Sequence, residues 1–167
     1  TPPSLADAPD GTRGLLNLPS SEGGANWESA ALDPETGILY IPSRTQLKML
    51  SLENNPDSDI DFSQALGIRV PRVQGLDIVK PPYGRITAID MNSGDHLWMI
   101  ANADTPEFMA NHPLLEGVDL PRTGVATRSG ILVTKTLLFA GERTGVIGAG
   151  PMFRAHDKQT GEIIAEW

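Results

Sequence analysis

The stretch that decides the fold is Ala88-Ile89-Asp90-Met91-Asn92-Ser93-Gly94-Asp95-His96-Leu97-Trp98. Residues 85–91 alternate in character, Asn92-Ser93-Gly94 turns the chain, and residues 96–100 run back, which predicts a β-hairpin. The first seven positions, Ala-x-Asp-x-x-(Ser/Thr)-Gly, recur as Ala155-His156-Asp157-Lys158-Gln159-Thr160-Gly161 and as Ala31-Leu32-Asp33-Pro34-Glu35-Thr36-Gly37. Each residue type has a physical task. Aspartate at the strand end accepts hydrogen bonds from turn amides and from the Ser or Thr hydroxyl. Glycine takes a positive φ at low cost. Alanine leaves room for a large neighbour, and the tryptophan of the returning strand can fill it.

Outward from these hairpins the pattern stays β-rich. Residues 30–33 and 38–41 flank Pro34-Glu35-Thr36-Gly37. Residues 130–134 and 136–140 are apolar and β-branched. Residues 153–157 and 162–166 flank the last turn, with weaker strand signals at 15–18 and 46–52. The count is about eight to ten strands. Residues 53–82 and 101–128 read as two long inter-strand loops, and loops of that length are usually functional or ordered by a neighbour. Thr105-Pro106-Glu107 predicts a helix start, and Pro113 limits that helix to about two turns. The fold class is all-β, and residues 1–167 are expected to form a single domain.

Composition agrees. The chain has 167 residues, about one domain's worth, with 17 Gly and 14 Pro, punctuation that suits short strands and not a helical bundle. Thirteen basic residues against 21 acidic ones give a formal net charge of −8. That excludes a non-specific nucleic-acid binder or a polybasic membrane patch. There is no cysteine, hence no disulfide, no thiol nucleophile and no thiolate zinc site. No apolar run reaches the length of a membrane helix. The chain opens on Thr1 and closes on Trp167 directly after an apolar stretch, and both ends read as cuts through a longer chain.

A repeat of about 60 residues holding several strands predicts propeller blades. The repeat resembles the tryptophan-docking motif of the eight-bladed propellers in quinoprotein dehydrogenases, which use pyrroloquinoline quinone (PQQ). Gly23-Gly24-Ala25-Asn26-Trp27, followed by Ala31-x-Asp33-Pro34-x-Thr36-Gly37-x-x-Tyr40-x-Pro42, is similar to that family's Gly-Gly-x-Asn-Trp segment. Tyr83-Gly84-Arg85-Ile86-Thr87-Ala88-Ile89-Asp90 resembles the strand entering the next docking motif. Asn111-His112-Pro113 and Leu132-Val133-Thr134-Lys135-Thr136-Leu137 are similar to the membrane-bound, glucose dehydrogenase-like branch. The resemblance covers residues 20–167. Two departures stand out: Ser93 replaces the commoner Thr, and Ala165 stands where the last repeat would carry Trp, with Trp167 two residues later on the same strand face.

The resemblance implies a partial β-propeller of two to three blades, a fragment of a longer PQQ-dependent dehydrogenase that oxidises a sugar or alcohol by hydride transfer to the quinone. It implies PQQ and Ca²⁺ as cofactors, a carboxylate base, a respiratory electron acceptor (quinone or cytochrome), and a periplasmic location with attachment to the inner membrane through the N-terminal part. The remaining blades of the parent chain would be its structural partners. Asn26 matches the family Asn whose amide contacts the quinone, a task that suits a neutral donor. Trp27 is expected to help line the cofactor pocket, and Thr134 lies in the segment resembling the last inner strand. The calcium ligands and catalytic Asp are expected N-terminal to the Asn-Trp segment, outside this chain, so the fragment would supply one wall of the pocket and be inactive alone. The alternative from another class is a non-catalytic propeller scaffold of the outer-membrane assembly lipoprotein type, which needs only the docking repeat.

Other motifs carry less. His96, His112 and His156 lack metal-ligand spacing and are read as structural or solvated. Asp57, Asp59 and Asp61 lack the Gly and Glu of an EF-hand and are read as an exposed acidic loop. Gly145-x-x-Gly148-x-Gly150 has no following Lys-Ser or Lys-Thr and is no phosphate-binding loop. No Gly-x-Ser-x-Gly elbow is present.

Overall fold

The structure, a computed structural model, describes residues 3–26, 30–142 and 151–167. In chain order its strands are β1 (Leu15–Asn17), β2 (Ala31–Asp33), β3 (Ile38–Arg44), β4 (Lys48–Leu50), β5 (Leu52–Glu53), β6 (Ser63–Gln64) and β7 (Arg72–Val73). They continue as β8 (Leu76–Asp77), β9 (Gly84–Asp90), β10 (His96–Ala101), β11 (Ser129–Val133), β12 (Leu137–Glu142), β13 (Phe153–Asp157) and β14 (Ile163–Glu166). Contacts gather the chain into two compact units, residues 1–23 with 46–79 and residues 24–45 with 80–167.

The larger unit holds two four-stranded antiparallel sheets, β2-β3-β9-β10 and β11-β12-β13-β14. Each is an up-and-down meander, which is the form of a propeller blade. The three repeat turns share one geometry. The amides of Gly37, Gly94 and Gly161 donate to the carbonyls of Asp33, Asp90 and Asp157 at 2.8, 2.7 and 2.8 Å. Those glycines have φ of +72°, +82° and +79°, the left-handed region where a Cβ is costly. The side chains act as expected: Asp33 accepts from Glu35 N and from the Thr36 hydroxyl, Asp90 from Asn92 N, and Asp157 from Gln159 N and Thr160 N.

The core lies between the two sheets. Tyr40, Ile86 and Ala88 of the first blade meet Leu138 and Ala140 of the second, with Trp98, Ile100, Ile131 and Val133 packed around them. Tyr40, Ile86 and Leu138 are fully buried, each worth roughly 1.5–3 kcal/mol in apolar transfer. Trp98 is the dock. A Cβ built on Gly161 would fall 2.9 Å from Trp98 Cε3 and from Ile100 Cγ2, so only glycine lets the indole lie on the turn. The Trp98 indole N–H donates to the Lys158 carbonyl at 3.3 Å, and the Tyr40 hydroxyl donates to the same oxygen at 3.1 Å. Lys158 Nζ pairs with Asp33 Oδ2 at 2.5 Å, tying the last turn to the first.

A second ionic group ties the second blade to the segment that follows β10. Arg154, 1% exposed, pairs with Glu142, with Glu166 (2.5 Å) and with Asp104 (2.7 Å), and Asp104 also meets Arg122 at 3.0 Å. A buried guanidinium needs such company, because leaving it unpaired would cost several kcal/mol.

The two long loops are more ordered than their sequences suggest. Within 53–82, in the smaller unit, β5 pairs with β6 and β7 with β8. The second ladder turns on Gln74 and Gly75, both at positive φ (+52° and +91°), the signature of a two-residue hairpin. Asp57, Asp59 and Asp61 are exposed between β5 and β6. Within 101–128 the helix spans only Glu107–Ala110, followed by a 3₁₀ turn at Pro113–Leu115. The expected two-turn helix is one turn, and Thr105 does not cap it: Pro106 holds the cap position and the Thr105 hydroxyl accepts from Thr123 N at 3.0 Å. The segment is pinned further on, where Gly124 (φ +63°) passes so close to Gly84 and Asn102 that a Cβ would lie 2.4 Å from the Gly84 oxygen.

Candidate cofactor-facing site

Among the pairs of strands from the two blades, β11 comes close to β2 and β3. The first strands of the blades therefore converge, and the chain entering each of them meets at one end. Gly24 O accepts from Arg44 N at 2.8 Å, fastening the segment before Asn26 to the end of β3. Thr127, Arg128 and Ser129 lead into β11. Asn26, Ser43, Arg44, Thr127, Arg128 and Ser129 line a cleft of about 10 Å³, room for roughly one water.

The wall opposite Asn26 is held from behind. Ser129, 2% exposed, accepts a hydrogen bond from the Asn102 amide at 2.6 Å. Asn102 N donates to Gly84 O at 2.9 Å, and Asn102 O accepts from Val125 N at 3.0 Å. The cleft thus brings together a carboxamide, two guanidinium groups and three hydroxyls, with no carboxylate among its described lining residues. That donor set suits the carbonyl and carboxylate oxygens of an acidic quinone.

Thr134 is elsewhere. Its hydroxyl donates to Leu137 O at 3.0 Å and accepts from Leu137 N at 3.1 Å, closing the β11–β12 turn, and the residue is exposed. It lies at the far end of five-residue β11 from Ser129, roughly 16 Å away at strand rise. The structure brings Asn26 to Ser129 and does not bring Thr134 to either. Trp27 lies outside the described residues, as do Gly145, Gly148 and Gly150. Arg44, Arg128 and Ser129 escaped sequence reasoning. The available signal was an arginine at the end of the apolar run Ile38–Arg44.

The ionisable groups sort by role. The Lys158 ammonium, then the Thr36 hydroxyl, hold the Asp33 carboxyl at about 2, against an ordinary 3.8. A group so acidic is unsuited to take a proton near neutrality, and its work is structural. The Arg154 hydrogen bond lowers Glu166. Burial lowers His156, whose Nδ1 faces the Gly161 carbonyl at 2.9 Å and therefore carries the proton. His96 is exposed and half-buried His112 accepts from Leu114 N. Among the described residues no three His, Asp or Glu side chains gather as a metal site.

Two meander blades joined by a tryptophan dock, with a polar cleft where their first strands converge, define the class: a segment of a β-propeller. The family described as the PQQ glucose/ethanol/alcohol dehydrogenase β-propeller domain matches residues 1–167. The chain belongs to that family. It is 30% identical over 193 residues to the glycerol dehydrogenase large subunit of Gluconobacter thailandicus, covering 98% of this chain and 24% of that protein. It is 25% identical over 148 residues to the quinate/shikimate dehydrogenase (quinone) of Acinetobacter baylyi, covering 73% of this chain and 18% of that protein. The chain thus spans about a quarter of the length of the glycerol dehydrogenase subunits it matches.

Proposed function

We propose that this chain forms one wall of the cofactor pocket of a PQQ-dependent dehydrogenase oxidising an alcohol, polyol or sugar, acting with further blades of the propeller. The observation that carries the reading is the meeting of Asn26 with Arg44, Arg128 and Ser129 at the convergent ends of two docked blades. When bound, the quinone supplies the two-electron acceptor. The Asn26 amide would donate to a quinone oxygen without adding charge, and the two arginines would face its acidic groups. Ser129, backed by Asn102, keeps that wall from drifting. The described residues hold no cluster of carboxylates for calcium, and its ligands would lie on the remaining blades. Glycerol and quinate/shikimate dehydrogenases as relatives support a hydroxylated substrate. A periplasmic setting with a quinone or cytochrome acceptor goes with that chemistry. A non-catalytic scaffold would need the docking turns and not the Asn26 cleft.

The test is reconstitution. The polypeptide carrying this segment is purified without cofactor, given PQQ and Ca²⁺, and assayed for dye reduction with glycerol, other polyols and sugars. Activity dependent on PQQ is expected. A folded protein that binds no quinone would overturn the dehydrogenase reading and leave the scaffold.

A further inference from the structure

Asn102 stands directly behind the cleft. It leaves the end of β10, is 4% exposed, and is not among the described lining residues, so a ligand held in the cleft would not touch it. Its backbone is fully committed. The Asn102 amide donates to Gly84 O at 2.9 Å, and Asn102 O accepts from Val125 N at 3.0 Å. A Cβ on Gly84 or Gly124 would lie 3.0 or 2.6 Å from that same oxygen, so the three segments cross where only glycine fits. The next residue, Ala103, is buried at φ +71°, a left-handed conformation that a residue with a Cβ keeps only where its surroundings fix it.

The crossing reaches the cleft wall by two routes. Through the backbone, Val125 O accepts from Thr127 N at 2.7 Å, which sets one lining residue. Through the side chain, Asn102 Nδ2 donates to Ser129 Oγ at 2.6 Å across 27 positions of chain, which sets another. The backbone pins do not require the carboxamide, so what the side chain adds is the control of Ser129. A hydroxyl has one proton to give and two lone pairs to receive. With a lone pair taken by a fixed amide, the Ser129 proton is turned away from Asn102, and the hydroxyl is cast as a donor.

We propose that Asn102 is a positioning residue for the quinone, an assignment that rests on the cleft being the cofactor pocket. By occupying one side of Ser129 Oγ, it aims the Ser129 hydroxyl at a quinone oxygen, so that Ser129 of the second blade joins Asn26 of the first as a neutral donor. Asn102 acts only through Ser129, and the two deliver a single hydrogen bond to the cofactor.

The test is a double-mutant cycle read as PQQ affinity. The whole polypeptide carrying this segment is purified without cofactor, and PQQ is titrated calorimetrically with Ca²⁺ present, into wild type, Asn102→Leu, Ser129→Ala and the double variant. Each single variant is expected to weaken binding by about fivefold, one neutral hydrogen bond's worth. The double variant is expected to bind no more weakly than either single one, because residues that share one interaction are not additive. Circular dichroism melts set a temperature at which every variant is folded, and Asn102→Ala is the second variant should leucine not be accommodated. A folded Asn102 variant that binds PQQ like wild type, a Ser129→Ala with unchanged affinity, or losses that multiply in the double variant would each overturn the proposal while leaving the pocket in place. A wild type that binds no PQQ would overturn the pocket reading itself, and this assignment with it.

Discussion

The two ends of the blade pair are built from different chemistry. At the turn end, Asp33, Trp98, Thr134 and Lys158 are committed to one another: the indole covers Gly161, the ammonium holds the Asp33 carboxylate and lies 3.5 Å from the Thr134 carbonyl. At the other end, Asn26, Arg44, Arg128 and Ser129 surround a polar cleft. The first end is a clamp, where burial and pairing convert to stability. The second gathers a carboxamide, two guanidinium groups and hydroxyls around one cleft. Substitutions at the turn end are therefore expected to alter stability and spare binding, and a substitution at exposed Asn26 to do the reverse.

The largest effect is expected from Trp98→Ala. It removes the indole from Tyr40, Gly161 and the Lys158 carbonyl, and the unfolding free energy from urea titration should fall by about 3 kcal/mol. A fall below about 1 kcal/mol would mean that the blades are held by something other than the dock. Next comes a pair of glycines with nearly the same φ. Gly94→Ala meets only the left-handed penalty of about 1–2 kcal/mol, because its Cβ enters open space. Gly161→Ala meets the same penalty plus a clash with Trp98 and Ile100, so its loss must be the greater. Equal losses would break the distinction between a filled and an open socket.

The ion pair gives a pH signature. Asp33 is more acidic folded than unfolded, so its contribution is present above 3.8 and is lost as the pH falls towards about 2. Lys158→Met should flatten that acid limb in a stability–pH profile. A separate, milder slope belongs to His156. Burial keeps it neutral in the fold, so stability declines as the pH falls below 6.5, where the unfolded chain takes up the proton and the folded one resists it. His156→Gln should remove that slope while leaving the Asp33 limb in place.

The turns were legible because three residue types fix them locally: an aspartate, a hydroxyl and a glycine within seven positions. The strands followed from alternation, and the tryptophan dock from Ala88 and Trp98. The short ladders β5–β6 and β7–β8 were not legible, since two residues per strand show no period. The Asp33–Lys158 pair joins residues 125 positions apart, and nothing near either residue announces the other. Arg154 looks, in sequence, like an ordinary charge on a strand, and only the fold brings Glu142, Glu166 and Asp104 around it. Asn26 was singled out through its neighbours Gly23, Gly24 and Trp27, whereas Arg44 and Arg128 join it at the cleft only through strand convergence. Thr134 was read for the cofactor pocket from the resemblance of its segment, and in the fold its hydroxyl closes the local β11–β12 turn.

The most direct test compares the two ends in one experiment. PQQ is titrated calorimetrically into the cofactor-free polypeptide carrying this segment, as wild type, Asn26→Ala and Thr134→Ala. The expected result is binding by the wild type, a loss of about tenfold in affinity for Asn26→Ala, one hydrogen bond's worth, and no change for Thr134→Ala. Unchanged binding in Asn26→Ala, or a loss confined to Thr134→Ala, would contradict the assignment of the cleft end to the quinone.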